Sequence, residues 1–298
     1  MFKPLTEFVF FRFVCTLGVV HGFTKFGSDA YDEWVDMRSW KEMTTFLAER
    51  FGELEYGTIE PTLDVEYNVA MVDPSEAGAD TAVEKRASKV VVETVAYDDD
   101  GFALEGYLAI PPMSAGETRP ALIILPDWDG VNGPTGYEAE RAVMAATEGG
   151  YVAMVADIYG TEYTNVDDFA TRGEQATFYR SDPDLFVKRI QAGVDQLMAH
   201  EAVDSTRIYM AGYCFGGTGV IDYAFSSGAL KNVKAVVPIH GGLNPLRAVQ
   251  TDKVYPHVLI LSGGVDDAHG NPTELEAHLD GASATWEISR YSSKSFYV

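Results

Sequence analysis

A cysteine between glycines is the residue of this chain best placed for nucleophilic chemistry. The stretch "GYCFGG", Gly212–Gly217, puts Cys214 between the apolar run "RIYMA" and the helix-like stretch "TGVIDYAF". A G-x-C-x-G turn between strand and helix has the form of a nucleophile elbow, whose strained backbone holds the nucleophile above the sheet edge. Glycines on either side let neighbouring backbone approach without a β-carbon clash. The pattern predicts a cysteine nucleophile, against the plainer interpretation of Cys214 as a small buried apolar residue.

The same turn would stabilise charge at the reacting centre. The amide of Phe215, directly after the cysteine, would lie at a helix N-terminus and could donate a hydrogen bond to an oxyanion. The partial positive charge of that N-terminus would favour the thiolate form of Cys214. A thiolate beside an oxyanion donor is suited to attack on a carbonyl carbon.

Apolar runs and amphipathic stretches alternate around this turn from residue 89 onward. "KVVVETVAY" and "FALEGYLAI", separated by "DDDG", predict a hairpin. Five more apolar runs, "ALIILP", "YVAMVAD", "RIYMAGY", "VKAVVPIHG" and "HVLILSGG", are typical of parallel strands buried on both faces. "GYEAERAVMAATEGG", closed by Gly149 and Gly150, and "PDLFVKRIQAGVDQLMAH", opened by Pro183 after the cap Asp182, predict helices. The alternation predicts an α/β fold with helices on both faces and chemistry near the carboxyl ends of the strands.

A further helix is predicted near the start of the chain. Six large apolar side chains recur at roughly helical spacing within Asp29–Gly52, and Gly52 is a plausible stop. These side chains are Tyr31, Trp34, Met37, Trp40, Met43 and Phe46. Residues 53–88 follow as an acidic linker, in which "LDVEYNVAMV" is the one stretch that could pair as a strand.

Charge and composition exclude several classes of partner. The 298 residues include 45 acidic and 22 basic side chains, a formal charge of -23 that repels nucleic acid and anionic lipid. The pattern contains no metal-ligand spacing, and "GYCFGG" lacks the lysine of a phosphate loop, so we predict neither metal nor cofactor. A small molecule is the predicted partner, and the oligomeric state is left open.

Cysteine usage and the first 17 residues bear on location. Cys15 and Cys214 are too few for a disulfide framework, which fits a reducing compartment or a reactive thiol. "MFKPLTEFVFFRFVCTL" is similar to a secretion signal, but Glu7 and Arg12 interrupt its apolar run. The prediction is a cytoplasmic protein that needs no membrane, with an atypical signal or anchor as the alternative.

Four stretches together resemble the dienelactone hydrolase family of α/β hydrolases. They are "GYCFGG", "PDWDGVN", "YVAMVADIYG" and "GGVDD", and the resemblance spans roughly Val90 to Tyr291. It implies the α/β-hydrolase fold, with a mostly parallel central sheet and helices on both faces. It also implies opening of ester or lactone bonds by a Cys-His-Asp triad through a thiol-acyl intermediate, with Cys214 as nucleophile.

The resemblance assigns further roles by position. The family's G-x-x-D pattern matches Gly263–Asp266, which makes Asp266 the triad acid and leaves Asp267 as the neighbouring alternative. Asp127 stands where the family has a glutamate that partners the resting thiol. The amide of Trp128 would be the second oxyanion donor, while its side chain could be a pocket wall or a core aromatic.

The histidine that would be the base of the triad does not stand where the family's order along the chain places it. The family places a histidine after the last strand, but "WEISRYSSKSFYV", 286–298, contains none. "GVVHGFT", 18–24, matches the histidine turn, and the helix of Asp29–Gly52 resembles the closing helix. We therefore interpret the chain as circularly permuted with His21 as general base, and His240 in "PIHGG" as its rival. Lys25 matches a position where family members often carry an arginine that meets the substrate carboxylate.

The predicted organisation has five parts. They are an unmatched extension, 1–17; the histidine turn and closing helix, 18–52; a linker, 53–88; the main body, 89–291; and an unmatched tail, 292–298. We favour an origin of the gene as one unit of a tandem hydrolase array, and we still expect the single chain to assemble the permuted fold. A binding module that keeps the pocket without a competent base is the alternative to an enzyme.

Overall fold

One eight-stranded sheet organises the part of the chain that the computed structural model describes, residues 23–25, 31–51, 90–133, 136–164, 168–226, 233–245, 254–264 and 270–291. Its strand order is β1-β2-β4-β3-β5-β6-β7-β8. The six strands β4, β3, β5, β6, β7 and β8 are parallel to their neighbours in this order. Strand β2 is antiparallel to both β1 and β4. The strands are β1 (Val91–Asp99), β2 (Phe102–Ile110), β3 (Arg119–Leu125), β4 (Val152–Val155), β5 (Val203–Tyr213), β6 (Val233–Ile239), β7 (His257–Gly263) and β8 (Trp286–Tyr291).

Helices cover both faces of this sheet. Helices α1 and α2 share one buried apolar cluster with the sheet, and α3 to α6 share another. The helices are α1 (Glu33–Phe51), α2 (Tyr137–Gly149), α3 (Phe169–Ser181), α4 (Pro183–Met198), α5 (Phe215–Phe225) and α6 (Pro272–Gly281), with a short 3-10 turn at Thr161–Tyr163. The predicted fold class, a mostly parallel sheet between helices, is confirmed.

Local signals in the sequence explain where these elements begin and end. The β1–β2 hairpin forms as predicted. Helix α2 is capped by Gly150 in the left-handed region at φ 66°, which favours glycine. Helix α4 begins at Pro183, and the Asp182 carboxylate accepts a hydrogen bond from the Leu185 amide at 3.1 Å.

The predicted N-terminal helix is confirmed as α1, with a different buried face from the one expected. Trp34 and Met37 are 54% and 37% exposed, whereas Val35 and Leu47 are fully buried. A strict spacing of three residues falls short of the 3.6-residue turn, so a stripe at that spacing winds around the helix. The predicted face is therefore wrong at its first turns.

Helix α1 is tied to the body by side chains at both ends. The Arg141 guanidinium of α2 bonds both carboxylate oxygens of Asp36, at 2.6 and 2.7 Å. In the middle of the helix, the Tyr291 hydroxyl donates to Glu42 at 2.6 Å, and in its last turn Arg50 pairs with Glu287 of β8 at 3.0 Å. These contacts place α1 beside α2 on one face of the sheet and next to the end of β8.

No helix in the described ranges is long and apolar enough to cross a membrane. The linker 53–88, with its possible strand, and the segments 1–17 and 292–298 lie outside the described residues.

Candidate active site

Cys214 occupies the strained turn that the sequence predicts. Its backbone lies at φ 52° and ψ -107°, between the end of β5 and the start of α5. Such a conformation costs a non-glycine residue about 1–3 kcal/mol and persists only where its surroundings impose it. The Cys214 amide donates to the Ile239 carbonyl at 3.0 Å, and the Thr218 amide donates to the Cys214 carbonyl at 3.1 Å. The first turn of α5 and the end of β6 thus hold the elbow.

The glycines beside Cys214 are required by close backbone contacts. A β-carbon on Gly216 would lie 2.4 Å from the Leu125 carbonyl oxygen and 2.5 Å from that of Pro126. One on Gly212 would lie 2.4 Å from the Gly216 oxygen. The elbow is therefore packed directly against the end of β3, which brings the next loop, 126–130, to the same edge of the sheet.

The loop after β3 is held by its own carboxylates. Asp127 accepts a hydrogen bond from the Asp129 amide at 2.7 Å, and its own amide donates to Glu138 Oε1 of α2 at 3.1 Å. Its carbonyl accepts from the Gly130 amide at 3.1 Å. Trp128, the predicted second oxyanion donor, lies in the middle of this constrained turn, after the strand that neighbours the elbow.

Two cations reach this loop from distant parts of the chain. Lys25 donates to Asp127 Oδ2 at 2.8 Å and also pairs with Asp129. Arg172 of α3 lies 3.2 Å from the other oxygen of Asp129. Burial would lower the pKa of Lys25, but the two carboxylates outweigh burial and raise it above its usual value. The ammonium is therefore charged at neutral pH.

Glu138, which the sequence did not single out, is a buried acid behind the loop. Burial, reinforced by the charge of Asp127, raises its pKa from an ordinary 4.5 to about 8. It therefore carries a proton at neutral pH. Burial also raises the pKa of Asp127, and the Lys25 ammonium opposes that rise.

Helix α3 lines the loop and the elbow together. The exposed Phe169 ring packs edge-on against Trp128, with centroids 4.6 Å apart. The Arg180 guanidinium lies 5.3 Å from the Phe215 ring. Tyr159 lies between the two groups: its hydroxyl donates to the Trp128 carbonyl at 3.1 Å, and its ring is 5.3 Å from that of Phe215.

The pKa of Tyr159 is affected by residues of both the loop and the elbow. Burial raises its pKa above the usual value; Arg180 opposes this, and Asp127 and Cys214 raise it further. The phenol therefore stays protonated at neutral pH and can keep donating to the Trp128 carbonyl. Trp128 is half-buried against the core and also touches exposed Phe169, so it is both core aromatic and surface wall.

Residues 23–25, shortly after His21 in the sequence, lie at this edge too. Thr24 Oγ1 is 2.7 Å from Nε2 of buried His240, which follows β6. The Phe23 ring is 5.1 Å from the His240 ring and 5.6 Å from Tyr291 at the end of β8. The segment 23–25 therefore contacts residues after β3 and β6 and at the end of β8.

Three predicted site residues are not among these. His21, Asp266 and Asp267 lie outside the described residues, so their roles stay predictions. Cys214, Phe215, Trp128, Asp127 and Lys25 are described and lie along one edge of the sheet.

A family model agrees with this arrangement. The model of the dienelactone hydrolase family matches residues 104–297, well over half of the chain. The chain belongs to the dienelactone hydrolase family. The match begins after the turn and helix of 18–52, and it extends into the tail from 292 that the sequence analysis set apart.

Among curated proteins, this chain is similar to a protein of Bradyrhizobium, "Probable 2-oxo-3-(5-oxofuran-2-ylidene)propanoate lactonase". It is 28% identical over 157 residues, which are 51% of this chain and 59% of the relative. The match thus spans less than two thirds of the relative's length.

Solved structures support the α/β-hydrolase fold. A dienelactone hydrolase-like promiscuous phosphotriesterase from metagenomic libraries is 24% identical, with a TM-score of 0.59 over 68% of this chain and 82% of its own. A protein of Klebsiella pneumoniae, "Putative Dienelactone Hydrolase", is 20% identical, with a TM-score of 0.54 over 68% of this chain and 85% of its own. An acylaminoacyl peptidase from Pyrococcus horikoshii is 16% identical, with a TM-score of 0.53 over 71% and 38%.

The sequence did not single out two residues that contact the loop 126–130, Arg172 and Glu138. Arg172 follows the helix cap Asp168 by four residues, and that cap was the available signal for α3. Glu138 had no comparable signal, because an acidic residue in the first turn of a helix is ordinary. Within the described ranges, no three His, Cys, Asp or Glu side chains are placed to hold a metal ion.

Proposed function

We propose that this protein hydrolyses small ester or lactone substrates through a thiol-acyl intermediate on Cys214. The observation that carries the proposal is the strained backbone of Cys214 at the end of β5, beside the amide of Phe215 at the start of α5. Membership of the dienelactone hydrolase family supports the same chemistry. The relative named as a lactonase favours a cyclic ester among the possible substrates.

Acylation begins when His21 takes the proton of the Cys214 thiol. The thiolate attacks the carbonyl carbon, and the electron pair of the carbonyl moves onto its oxygen. The amides of Phe215 and Trp128 donate hydrogen bonds to this oxyanion. When the tetrahedral intermediate collapses, the carbon–oxygen bond to the alcohol breaks. The leaving oxygen takes the proton from the His21 imidazolium, and a thioester remains.

Deacylation reverses the roles with water as the nucleophile. His21 takes a proton from water, the resulting hydroxide attacks the thioester, and the Cys214 thiolate leaves and takes the proton back from the His21 imidazolium. Asp266 orients His21 and stabilises its imidazolium, with Asp267 as the alternative acid. An ester gives a carboxylic acid and an alcohol, and a lactone gives a single hydroxy acid that carries both groups.

Asp127 and Lys25 act next to the nucleophile in this proposal. Asp127 is the partner of the resting thiol, which its buried position after β3 beside the elbow supports. Lys25 holds the Asp127 carboxylate, so it positions that group. For Lys25 to meet a substrate carboxylate, as the family resemblance implies, that carboxylate would have to displace Asp127 and Asp129 from the ammonium.

The segment 18–52 and the body 89–291 would form one hydrolase unit, joined through 53–88 in permuted order. Contacts of Thr24 with His240 and of Asp36 with Arg141 support this organisation. The small-molecule ester or lactone is the partner that it would bind.

The test is hydrolysis of para-nitrophenyl acetate and dihydrocoumarin by Cys214→Ala, with Cys15→Ala, at the other cysteine of the chain, as matched control. We expect Cys214→Ala to lose at least about a thousandfold in kcat/KM, because a triad without its nucleophile keeps little rate. Cys15→Ala should match the wild type, and mass spectrometry of quenched wild type should show an acyl group on Cys214. Hydrolysis by Cys214→Ala at the wild-type rate would contradict the mechanism.

Variants of the other residues separate the alternatives. His21→Ala should abolish turnover while His240→Ala keeps acylation, and Asp266→Asn should cost more kcat than Asp267→Asn. A wild type that binds these compounds without turnover would identify a binding module instead.

A further inference from the structure

We propose that the site selects substrates that carry no negative charge, and that Asp129 sets this preference. The inference rests on the proposed ester or lactone hydrolysis. It concerns the charge balance of the loop 126–130, which contains Trp128, one of the two residues whose amides are assigned to the oxyanion.

The two cations at this loop are already paired within the protein. Asp129 pairs with Lys25 on one oxygen and with Arg172 on the other, and Asp127 also pairs with Lys25. Side chains of both aspartates are at least nine-tenths buried, whereas Lys25 and Arg172 are 31% and 18% exposed. The positive charges of Lys25 and Arg172 are therefore already neutralised by the carboxylates of Asp127 and Asp129.

A substrate carboxylate would have to compete with these counter-charges. The two aspartates are covalently part of the site, so a free anion displaces them at an entropic disadvantage. Two positive charges already face two carboxylates, and a third carboxylate would give the cluster a net negative charge. Burial disfavours such an unbalanced charge.

Neither Glu138 nor the net charge of the chain offsets that negative charge, and the guanidinium of Arg180, a further cation of α3, lies against the Phe215 ring of the elbow. Glu138, behind the loop, has its pKa raised to about 8 by burial and the Asp127 charge, so it already holds its proton at neutral pH. The chain's formal charge of -23 repels anions at longer range. The aromatic pair of Trp128 and Phe169 offers an apolar surface instead. Such a site favours an uncharged apolar ester or lactone, unlike the propanoate in the name of the Bradyrhizobium relative.

The test compares two esters that differ in one charge, mono-para-nitrophenyl glutarate and its methyl-capped form, para-nitrophenyl methyl glutarate. The readout is the ratio of kcat/KM for the capped ester to that for the anion, with buffer hydrolysis subtracted. General damage from a substitution cancels in this ratio. We expect the wild type to prefer the capped ester by about tenfold or more, and the preference to fall with added salt.

Two variants should move the ratio in opposite directions. Asp129→Asn keeps the size of the side chain and removes its charge, so the preference should fall by about tenfold. Arg172→Gln removes a cation, so the preference should rise. Asp204→Asn makes the same charge change at the opposite edge of the sheet, near the start of β5, and should leave the ratio unchanged.

The outcomes separate this inference from the function on which it rests. Cys214-dependent hydrolysis with a ratio near one, or an unchanged ratio in both Asp129→Asn and Arg172→Gln, would overturn the inference and leave the hydrolase intact. Hydrolysis of neither ester above the rate of Cys214→Ala would overturn both.

Discussion

The buried ion pair between Asp36 and Arg141 gives the most direct test of whether the N-terminal helix belongs on this body. Both side chains are at least nine-tenths buried, and Arg141 bonds both Asp36 oxygens at 2.6 and 2.7 Å. Arg141 also donates to the Thr24 carbonyl at 3.3 Å and lies 4.8 Å from the Tyr137 ring. The pair therefore joins the turn, α1 and α2.

Removing one partner should be costly, because it leaves the other charge buried. Asp36→Ala strands the Arg141 guanidinium, and Arg141→Met strands the Asp36 carboxylate. Each should lower the free energy of unfolding by about 3–5 kcal/mol. Asp36→Ala with Arg141→Met strands no charge, so its loss should fall short of the sum by about 2–3 kcal/mol.

Urea unfolding, followed by tryptophan fluorescence, measures this cycle. Trp40 of α1 is buried, its ring lies 5.6 Å from the Arg141 guanidinium, and it donates to Glu148 of α2 at 2.9 Å, so its exposure when α1 leaves the body contributes to the emission of the four tryptophans. Exposed Lys41→Met is a control that should change stability by less than about 0.5 kcal/mol. A coupling energy below about 0.5 kcal/mol would refute the docking of α1 and, with it, the permuted fold.

Two further predictions concern the loop and the elbow. Folded Glu138 keeps its proton up to about pH 8, whereas the unfolded chain releases it near 4.5, so stability should fall as pH rises between these values. In urea unfolding, Glu138→Gln should lessen the fall in the free energy of unfolding by up to about 1.4 kcal/mol per pH unit. If the wild type and Glu138→Gln lose stability with pH at the same rate, Glu138 does not hold a buried proton. Gly216→Ala puts a β-carbon 2.4 Å from the Leu125 oxygen and should cost about 1–3 kcal/mol and most ester hydrolysis. The control is Gly173→Ala in α3, where the added β-carbon has no neighbouring atom within 4 Å. This substitution should leave the free energy of unfolding unchanged or raise it.

The sheet and its elbow could be predicted because their signals are local. The strand from "RIYMAGY" is apolar throughout its buried half, and the glycines around Cys214 mark the close contact with β3. Likewise, Asp182 and Pro183 mark the start of α4 by capping chemistry that needs no distant partner. Residue types alone were enough at these positions.

Helix α3 and the charge cluster could not be predicted in the same way. Only Ala176 and Tyr179 of α3 are buried, so the helix has no apolar stripe to recognise. Asp129 is one acid among many in the sequence, and its role depends on Lys25 and Arg172, which are far apart along the chain. Such roles arise from tertiary contacts that periodicity does not encode.

The N-terminal turn shows how a resemblance can extend beyond a contiguous match. Phe23 contacts Tyr291, the last residue of β8, although 268 positions separate them. Lys25 and Asp36 meet oppositely charged partners on the body, so the segment fits a body of this sequence. In a tandem array the same surfaces could pair between copies. A segment in the same chain is present at an effective concentration on the order of millimolar, so at micromolar protein it outcompetes one from another copy.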